Sequence, residues 1–580
     1  MKQKLLPYWQ AMYDVLQYQL VTKSALSVWL YVLNKIFNAL LQSTGRVALS
    51  SGDFLFLFTT WQGLLIIFIG FVTLLVYVAL DLIAMIELSG DLIKGRETRI
   101  IDNIKKAFRV MPAFMKMEGI GVILYIALLA PILGFGVSIS LTQGLYIPTF
   151  ITSVIKTTPL YLALTIIAVI IFLMIGLANI FILHGVILDH YSLHEASIQS
   201  KALMKVNRRD YFKQNIIYAL TGILVLATIA IVTIVLPLLL IDLIGMSKGM
   251  HRVLTLFVMM LGIVLSTLAG LYSTPLYIMK LTQLYYTYKE GKQVYYPIRD
   301  HQKHPVLNMA FVCAIICIAG LSIVLYNHFD EVFPTTVTTR IIAHRAGGNE
   351  AAENTVAGIE TAYELGAYGS EIDIQRTADG HYIVLHDGNF KRVASDKRKP
   401  EQMSLDEVKM LKVDGQPIPT FEEMLEASRG KVILFTELKG KSADKKMADD
   451  AVQIVKEMGM EDEVVLISLK YDLINYIETT YPEMETAYLT WLSFGNTAAL
   501  NCDYIGLEEE SGTSDAINAI HKQGKGALIW TANSKQSQHR FLCSDADCII
   551  TDNVKQANEI KKKLENRTDI ERIIDKILSL

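Results

Sequence analysis

The chain has 580 residues, a formal net charge of −3, 52 % hydrophobic residues and only 19 % charged residues. That length allows two or three domains, the balanced charge gives no footing for nucleic-acid binding, and the composition is too apolar for an ordinary soluble chain. Five cysteines without C-x-x-C spacing exclude a disulfide framework and a thiolate zinc site, with a Cys543–Cys548 bridge left as an open alternative.

The first twenty residues lack a short apolar core followed by small residues, so no cleavable signal peptide is expected. Apolar runs of about 20 residues are long enough to cross a bilayer. They occur at Leu64–Ile86, Ile120–Leu141, Leu160–Leu188, Ile216–Ile244, Val253–Tyr272 and Val306–Tyr326. A weaker run, Leu20–Leu41, carries Lys23, Asn34, Lys35 and Asn38, and reads either as a further span or as an amphipathic surface helix. The expectation is a multi-pass α-helical membrane domain over residues 1–330 with about seven helices.

Lysine and arginine favour the cytoplasmic side of such helices. They gather after Ile86 (Lys94, Arg96, Arg99, Lys105, Lys106, Arg109), after Leu188 (Lys201, Lys205, Arg208, Arg209, Lys213) and after Tyr272 (Lys280, Lys289, Lys292, Arg299, Lys303). The segments 143–158 and 245–252 hold only Lys156, Lys248 and Arg252. This alternation predicts a cytoplasmic amino terminus, with Lys2 and Lys4, and an extracytoplasmic carboxyl-terminal half. Asp81, His184 and Asp242 lie in or near the runs, either as functional groups or as helix-end residues reaching the headgroups. Pro131, Pro237 and Pro275 are expected kinks.

From about Thr338 short apolar strands alternate with helical stretches. The strand candidates are Ile341–His344, Ser370–Gln375, Tyr382–His386, Val432–Leu438, Val464–Ser468, Thr486–Thr490, Tyr504–Glu508, Ala527–Thr531 and Cys548–Thr551. Such alternation argues for parallel strands with crossover helices, and about eight repeats suit a (β/α)8 TIM barrel over residues 338–565. A doubly wound open sheet is disfavoured, because no glycine-rich nucleotide loop follows the first strand. Residues 566–580 form an amphipathic tail, with Ile570, Ile573, Ile574, Ile577 and Leu578 at helical spacing. It docks on the barrel or contacts a membrane or partner.

Barrel active sites gather at the carboxyl ends of the strands. There the sequence places His344 and Arg345, Glu371 and Asp373, His386 and Asp387, Glu437 and Lys439, and Trp530 with Asn533. Side chains two apart on a strand share a side, so Glu371 with Asp373, and Glu437 with Lys439, aim together. Three converging carboxylates need a cation between them, and oxygen ligands favour Ca²⁺ or Mg²⁺. Arg345 and Lys439 supply positive charge for a phosphate, and His344 and His386 suit proton transfer near neutral pH. Trp530 is a candidate for lining the pocket. Several neighbours carry two readings. Glu353 with Asn354 and Thr355 either joins the site, or Thr355 or Asn354 simply caps the helix that follows; Asp387 either orients His386 or makes a turn, and Asp379-Gly380 reads as a turn. His301, His304, His328, His381, His521 and His539 have no constellation.

At these residues the carboxyl-terminal half resembles the glycerophosphodiester phosphodiesterases. The stretches that carry the resemblance are Ala343-His344-Arg345-Ala346-Gly347, Glu353-Asn354-Thr355, Glu371-Ile372-Asp373, Thr377 to His386-Asp387, Pro419-Thr420-Phe421-Glu422-Glu423, Glu437-Leu438-Lys439, Trp530-Thr531-Ala532-Asn533 and Thr551-Asp552. The first half is similar in layout to the membrane domain of some bacterial members. The resemblance implies a barrel hydrolysing glycerophosphodiesters to sn-glycerol 3-phosphate and an alcohol. It implies a metal at Glu371, Asp373 and Glu437, and acid–base roles for His344 and His386. Arg345 and Lys439 would hold the phosphate. Three departures fall on the rim: Ala346 where the family often has glycine, Lys391-Arg392-Val393 where an Arg-Thr pair is usual, and Ser468-Leu469 where Ser-Phe is usual. They bear on the alcohol rather than the reaction. Substrates in view are headgroup esters, lysophospholipids and glycerophosphate polymers. Two other readings compete: a phospholipase C- or D-like barrel acting directly on membrane lipid, and a non-catalytic binding module on a transporting or sensing bundle.

Overall fold

The computed structural model describes residues 2–50, 55–78, 82–96, 99–114, 116, 119–121, 149–297 and 305–579. They fall into two compact units, one comprising residues 1–35, 64–147 and 152–329, the other 36–63, 148–151 and 330–580.

Five helices of the described residues are long and apolar enough to cross a membrane: Ala11–Gln42, Pro159–Leu188, Leu193–Leu243, Lys248–Glu290 and Asn308–Asn327. Trp61–Tyr77 is a shorter apolar helix. The weak first run is therefore part of a continuous helix. The run Ile120–Leu141 lies almost wholly outside the described residues, as do Asp81, Pro131, His301 and His304. Helix Pro159–Ala178 has no buried residue, the signature of a segment whose whole girdle meets apolar solvent. Pro237 follows a π-helical turn, Ile231–Val235, which absorbs the backbone bond that proline's missing N–H leaves open. His184 does not reach outward: it is buried, and its Nε2 lies 3.2 Å from Thr282 Oγ1. Asp242 stays exposed and pairs with His251 at 2.7 Å.

In the second unit eight parallel strands close into a ring. We number them β1 (Arg340–Ala343), β2 (Gly369–Arg376), β3 (Ile433–Leu438), β4 (Val464–Ser468), β5 (Glu485–Thr490), β6 (Tyr504–Glu508), β7 (Gly526–Trp530) and β8 (Cys548–Thr551). Each pairs with the next, and β8 returns to β1. Ile342, Phe435, Val465, Ile467, Ala487, Leu489, Leu528, Cys548 and Ile550 form the inner cluster. Their odd-numbered or even-numbered neighbours, such as Ile341, Leu434, Leu466, Tyr488 and Ile549, face the helices. This alternation follows from the two-residue period of a strand.

The Tyr382–Val384 strand corrects one expectation. It is not a ring member but lies antiparallel to β2, with Ile374 opposite Val384. Only residues 377–381 separate the two, and a parallel return needs a crossover of a dozen or more. The tight turn uses Gly380 at φ +91°, with Thr377 Oγ1 donating to Asp379 at 2.6 Å. The Pro419-to-Glu423 motif opens helix Phe421–Ser428 as a capping box, Thr420 and Glu423 satisfying each other's backbone N–H. The tail forms helix Asp569–Ser579 on the barrel, where Arg572 pairs with Asp330 at 2.7 Å. Cys543 and Cys548 are separate thiols.

Candidate active site

Alternation decides where the acidic residues go. On β2, Ile372 and Ile374 belong to the outer core, so Glu371 and Asp373 continue the inward row; on β3, Glu437 follows inward-facing Phe435. The register sets Asp373 directly opposite Glu437. Carboxylate oxygens of Glu371, Asp373 and Glu437 all lie within 4.8 Å of one another, and all three residues are buried. Lys439 Nζ reaches into the group, 2.8 Å from Asp373 and 3.0 Å from Glu437.

Burial and the charge of Asp373 push the Glu371 carboxyl well above its ordinary range. Burial raises Glu437 likewise, against the pull of Lys439. Asp373 is buried too, but Lys439, His386 and the Asn354 amide outweigh that and hold it low. Burial disfavours the Lys439 ammonium, yet Asp373, Glu437 and Glu371 together raise its pKa. One ammonium thus balances part of a charge that three buried carboxylates carry, and burying an unbalanced one costs several kcal/mol. An oxygen-only donor set of this kind fits a divalent cation.

Two imidazoles flank the carboxylates. His344 closes β1 with Nδ1 2.5 Å from Asp552 Oδ1 and Nε2 3.9 Å from Glu371. Burial works against its protonation, but the Asp552 hydrogen bond and the Glu371 charge prevail, so its pKa is raised. His386 sits beyond the antiparallel strand, with Nδ1 2.9 Å from Asp387 Oδ1. Burial holds its pKa below the ordinary value despite the charge of Asp373. The Gln375 amide fixes this loop by donating to the carbonyls of Leu385 (2.7 Å) and Asp387 (2.8 Å).

Arg345 occupies a left-handed position, φ +49°, and its backbone N–H donates to Glu371 at 2.8 Å. Its guanidinium meets Glu353 at 3.2 Å, while its buried Nε has no hydrogen-bond partner among the described residues. Ala346 is at φ +73°, which is why glycine is usual there. Trp530 ends β7 in the inward row and donates from Nε1 to Gly506 C=O at 3.2 Å.

The structure separates readings that residue type left open. Thr355 caps the helix, accepting from Gly358 N–H, whereas Asn354 donates to Asp373 at 2.9 Å and so joins the carboxylates. Asp387 holds His386 and is itself clamped by Arg392, which also grips Glu353 at 2.6 Å. Residue type and spacing assign no role to Asp552 or Arg392. Asp552 stands just past β8, where the strand-end rule already pointed, and Asn533 donates to it at 2.5 Å. A second group, His539, Cys543 and Asp575, lies on outer helices. Arg567 already contacts both Cys543 (3.4 Å) and Asp575 (3.2 Å) there. His521 is paired with Asp547 at 2.8 Å.

Together these features define a multi-pass membrane protein that carries a (β/α)8 barrel with an acidic, two-histidine mouth. The sequence model for the membrane domain of glycerophosphoryl diester phosphodiesterase matches residues 3–325, and that for the glycerophosphoryl diester phosphodiesterase family matches 344–556. The glycerophosphodiester phosphodiesterase of Caldanaerobacter subterraneus subsp. tengcongensis is 28 % identical over 228 residues, covering 37 % of this chain and 94 % of its own. That of Bacillus altitudinis is 25 % identical over 244 residues, 39 % of this chain and 100 % of its own. A solved glycerophosphodiester phosphodiesterase from Parabacteroides distasonis superposes with a TM-score of 0.36 at 24 % identity, covering 39 % of this chain and 98 % of its own. The chain belongs to the glycerophosphoryl diester phosphodiesterase family, hydrolases of glycerophosphodiesters.

Proposed function

We propose that this protein is a membrane-anchored, divalent-cation-dependent phosphodiesterase that releases sn-glycerol 3-phosphate and an alcohol. One observation carries the reading: three buried carboxylates meet at the barrel mouth, with the His344 imidazole 3.9 Å from Glu371 and His386 just past the hairpin strand that pairs with β2.

Glu371, Asp373 and Glu437 would hold one Ca²⁺ or Mg²⁺. When bound, the ion supplies Lewis acidity that lowers the pKa of the substrate's glycerol hydroxyl. Lys439 and Arg345 bind the phosphate; the unpaired buried Nε of Arg345 is a donor left for a phosphate oxygen. His386, held neutral by its lowered pKa, takes the proton from the glycerol hydroxyl next to the ester. That oxygen bonds to phosphorus as the bond to the alcohol oxygen breaks. His344, kept protonated through Asp552, gives its proton to the departing alcohol. Water then opens the cyclic phosphate, with the two imidazoles exchanging roles. Arg345 and Lys439 stabilise the charge that builds on phosphorus oxygens. Trp530 lines the substrate side of the mouth.

Residues 1–330 form the membrane domain, 338–565 the catalytic barrel and 566–580 the tail. The alternation of basic segments supports a cytoplasmic amino terminus and an extracytoplasmic barrel. Headgroup esters, lysophospholipids and glycerophosphate polymers are the substrates to compare. The test uses the full-length protein in lipid with glycerophosphocholine, with and without a chelator. Glycerol 3-phosphate and choline, formed only with divalent ion, are expected. Phosphocholine as the product, or a rate untouched by chelation, refutes the reading.

A further inference from the structure

The catalytic-face loop after β5 is not closed by barrel residues alone. Its Ser493–Gly495 strand pairs antiparallel with Ala48–Ser50, from the segment between the first two apolar helices. The register sets Ala48 opposite Gly495, Leu49 opposite Phe494 and Ser50 opposite Ser493. Asn496 N–H donates to Val47 C=O at 3.0 Å. The Ala48–Ser50 side of the seam is apolar and covered: Leu49 is 2 % exposed, and Ala48 shares one apolar cluster with Tyr488, Ala498 and Leu500, whereas Phe494 opposite Leu49 stays 47 % exposed. Gly495 is at φ +95°, and a Cβ there would lie 3.0 Å from Leu41 Cδ1 and Val47 O. Only glycine allows that approach.

Thr490 ends β5, so the seam lies just past the catalytic end of a ring strand. The chain runs from the end of the first helix at Gln42 to Ala48, a reach of at most about 20 Å. The next apolar helix begins at Trp61. In charge, too, the segment differs from the basic ones: residues 43–60 carry Arg46 as their single basic residue.

We propose that the segment 43–50 is a built-in part of the catalytic mouth, whose Ala48–Ser50 strand positions the rim loop 491–500. The proposal rests on the barrel being the catalytic unit described above. The barrel and this segment then share one side of the membrane, and the first helix crosses to carry Lys2 and Lys4 to the other. The rim is held on a short tether from the Gln42 end of that helix, and a barrel expressed without residues 43–50 lacks one strand of its mouth.

The test uses the full-length protein in lipid. The alternation of the ladder makes Ser50 and Ser493 a non-hydrogen-bonded pair, a spacing a disulfide spans. Under mild oxidation the Ser50→Cys/Ser493→Cys double variant should join its two peptides in a non-reducing peptide map. Neither single variant should form that link. No link in a double variant that still hydrolyses glycerophosphocholine overturns the proposal; a link in a protein that hydrolyses no glycerophosphodiester leaves the seam standing and overturns the catalytic reading instead. Positioning has its own readout. Gly495→Val unseats the strand while the carboxylates and His344 stay on or beside β1–β3, so KM should rise about ten-fold with kcat held within about two-fold. Unchanged KM in Gly495→Val, with the pair no longer linking, overturns the positioning role.

Discussion

Oδ1 of Asp387 lies 2.9 Å from Nδ1 of His386. The same carboxylate is gripped by Arg392, and its pKa is drawn down to about 2, since the hydrogen bonds from Arg392 and His386 outweigh its burial. The tautomer of His386 is thereby set, with Nδ1–H donating and Nε2 left for substrate. The arrangement makes the imidazole's titration adjustable from both sides.

Asp387→Asn removes the anion that favours the imidazolium, so the His386 pKa falls further below its already lowered value. The acidic limb of the kcat–pH profile should move to lower pH. Arg392→Ala acts in the opposite sense, because Asp387 loses the guanidinium that offsets its charge, and the limb should move to higher pH. Each shift is expected at about half a unit to one unit, with the Arg392 effect at the lower end because that side chain is half exposed. Two shifts of the same sign would contradict the assignment of His386 as base.

Asp552→Asn leaves His344 in place but replaces the carboxylate at its Nδ1 with a neutral amide, removing the charge that favours the imidazolium. Losses of about 10- to 100-fold are usual for such orienting groups, and kcat should fall by that factor with KM little changed. Steady-state kinetics on glycerophosphocholine decide it.

Glu371→Gln and Asp373→Asn should part company in stability. The Glu371 carboxyl is raised by burial and by Asp373, so a neutral isostere there relieves repulsion and the metal-free thermal midpoint should hold or rise. Asp373 is ion-paired with Lys439 at 2.8 Å, and Asp373→Asn leaves that buried ammonium short of a partner, a loss of about 3 kcal/mol. Both should abolish ion-dependent hydrolysis. Thermal unfolding in chelator, beside activity with added ion, separates the two effects.

Divalent ion should raise the unfolding midpoint of the barrel in the wild type. Binding at a hundred times the dissociation constant stabilises by about 2.7 kcal/mol. In Glu437→Gln the same addition should produce a much smaller shift. Calorimetry with Ca²⁺ and with Mg²⁺ checks this and ranks the two ions.

Much of the site could be read from residue type and spacing. Glu371 and Asp373 two apart in an apolar strand, and Glu437 with Lys439 likewise, declare an inward row because strand geometry has a fixed period. The partners of those groups were not legible in the same way. Asp552 lies 208 positions from His344 and Arg392 lies 39 from Glu353, so nothing local couples them. Only closure of the ring and the short hairpin that carries His386 bring them together.

Sequence alone determined where the apolar helices of the described residues run, the basic alternation along the first half, the strand–helix rhythm of the second half, and which strand ends carry paired polar residues. All of these follow from periodicity and transfer free energy, which act on neighbouring residues. Tertiary structure decided that Tyr382–Val384 stands outside the ring, that each histidine leans on its own aspartate, and that Ala48–Ser50 completes a rim more than four hundred residues away. Strand pairing and hydrogen bonding between distant segments depend on register and closure, and no local window of residues encodes them.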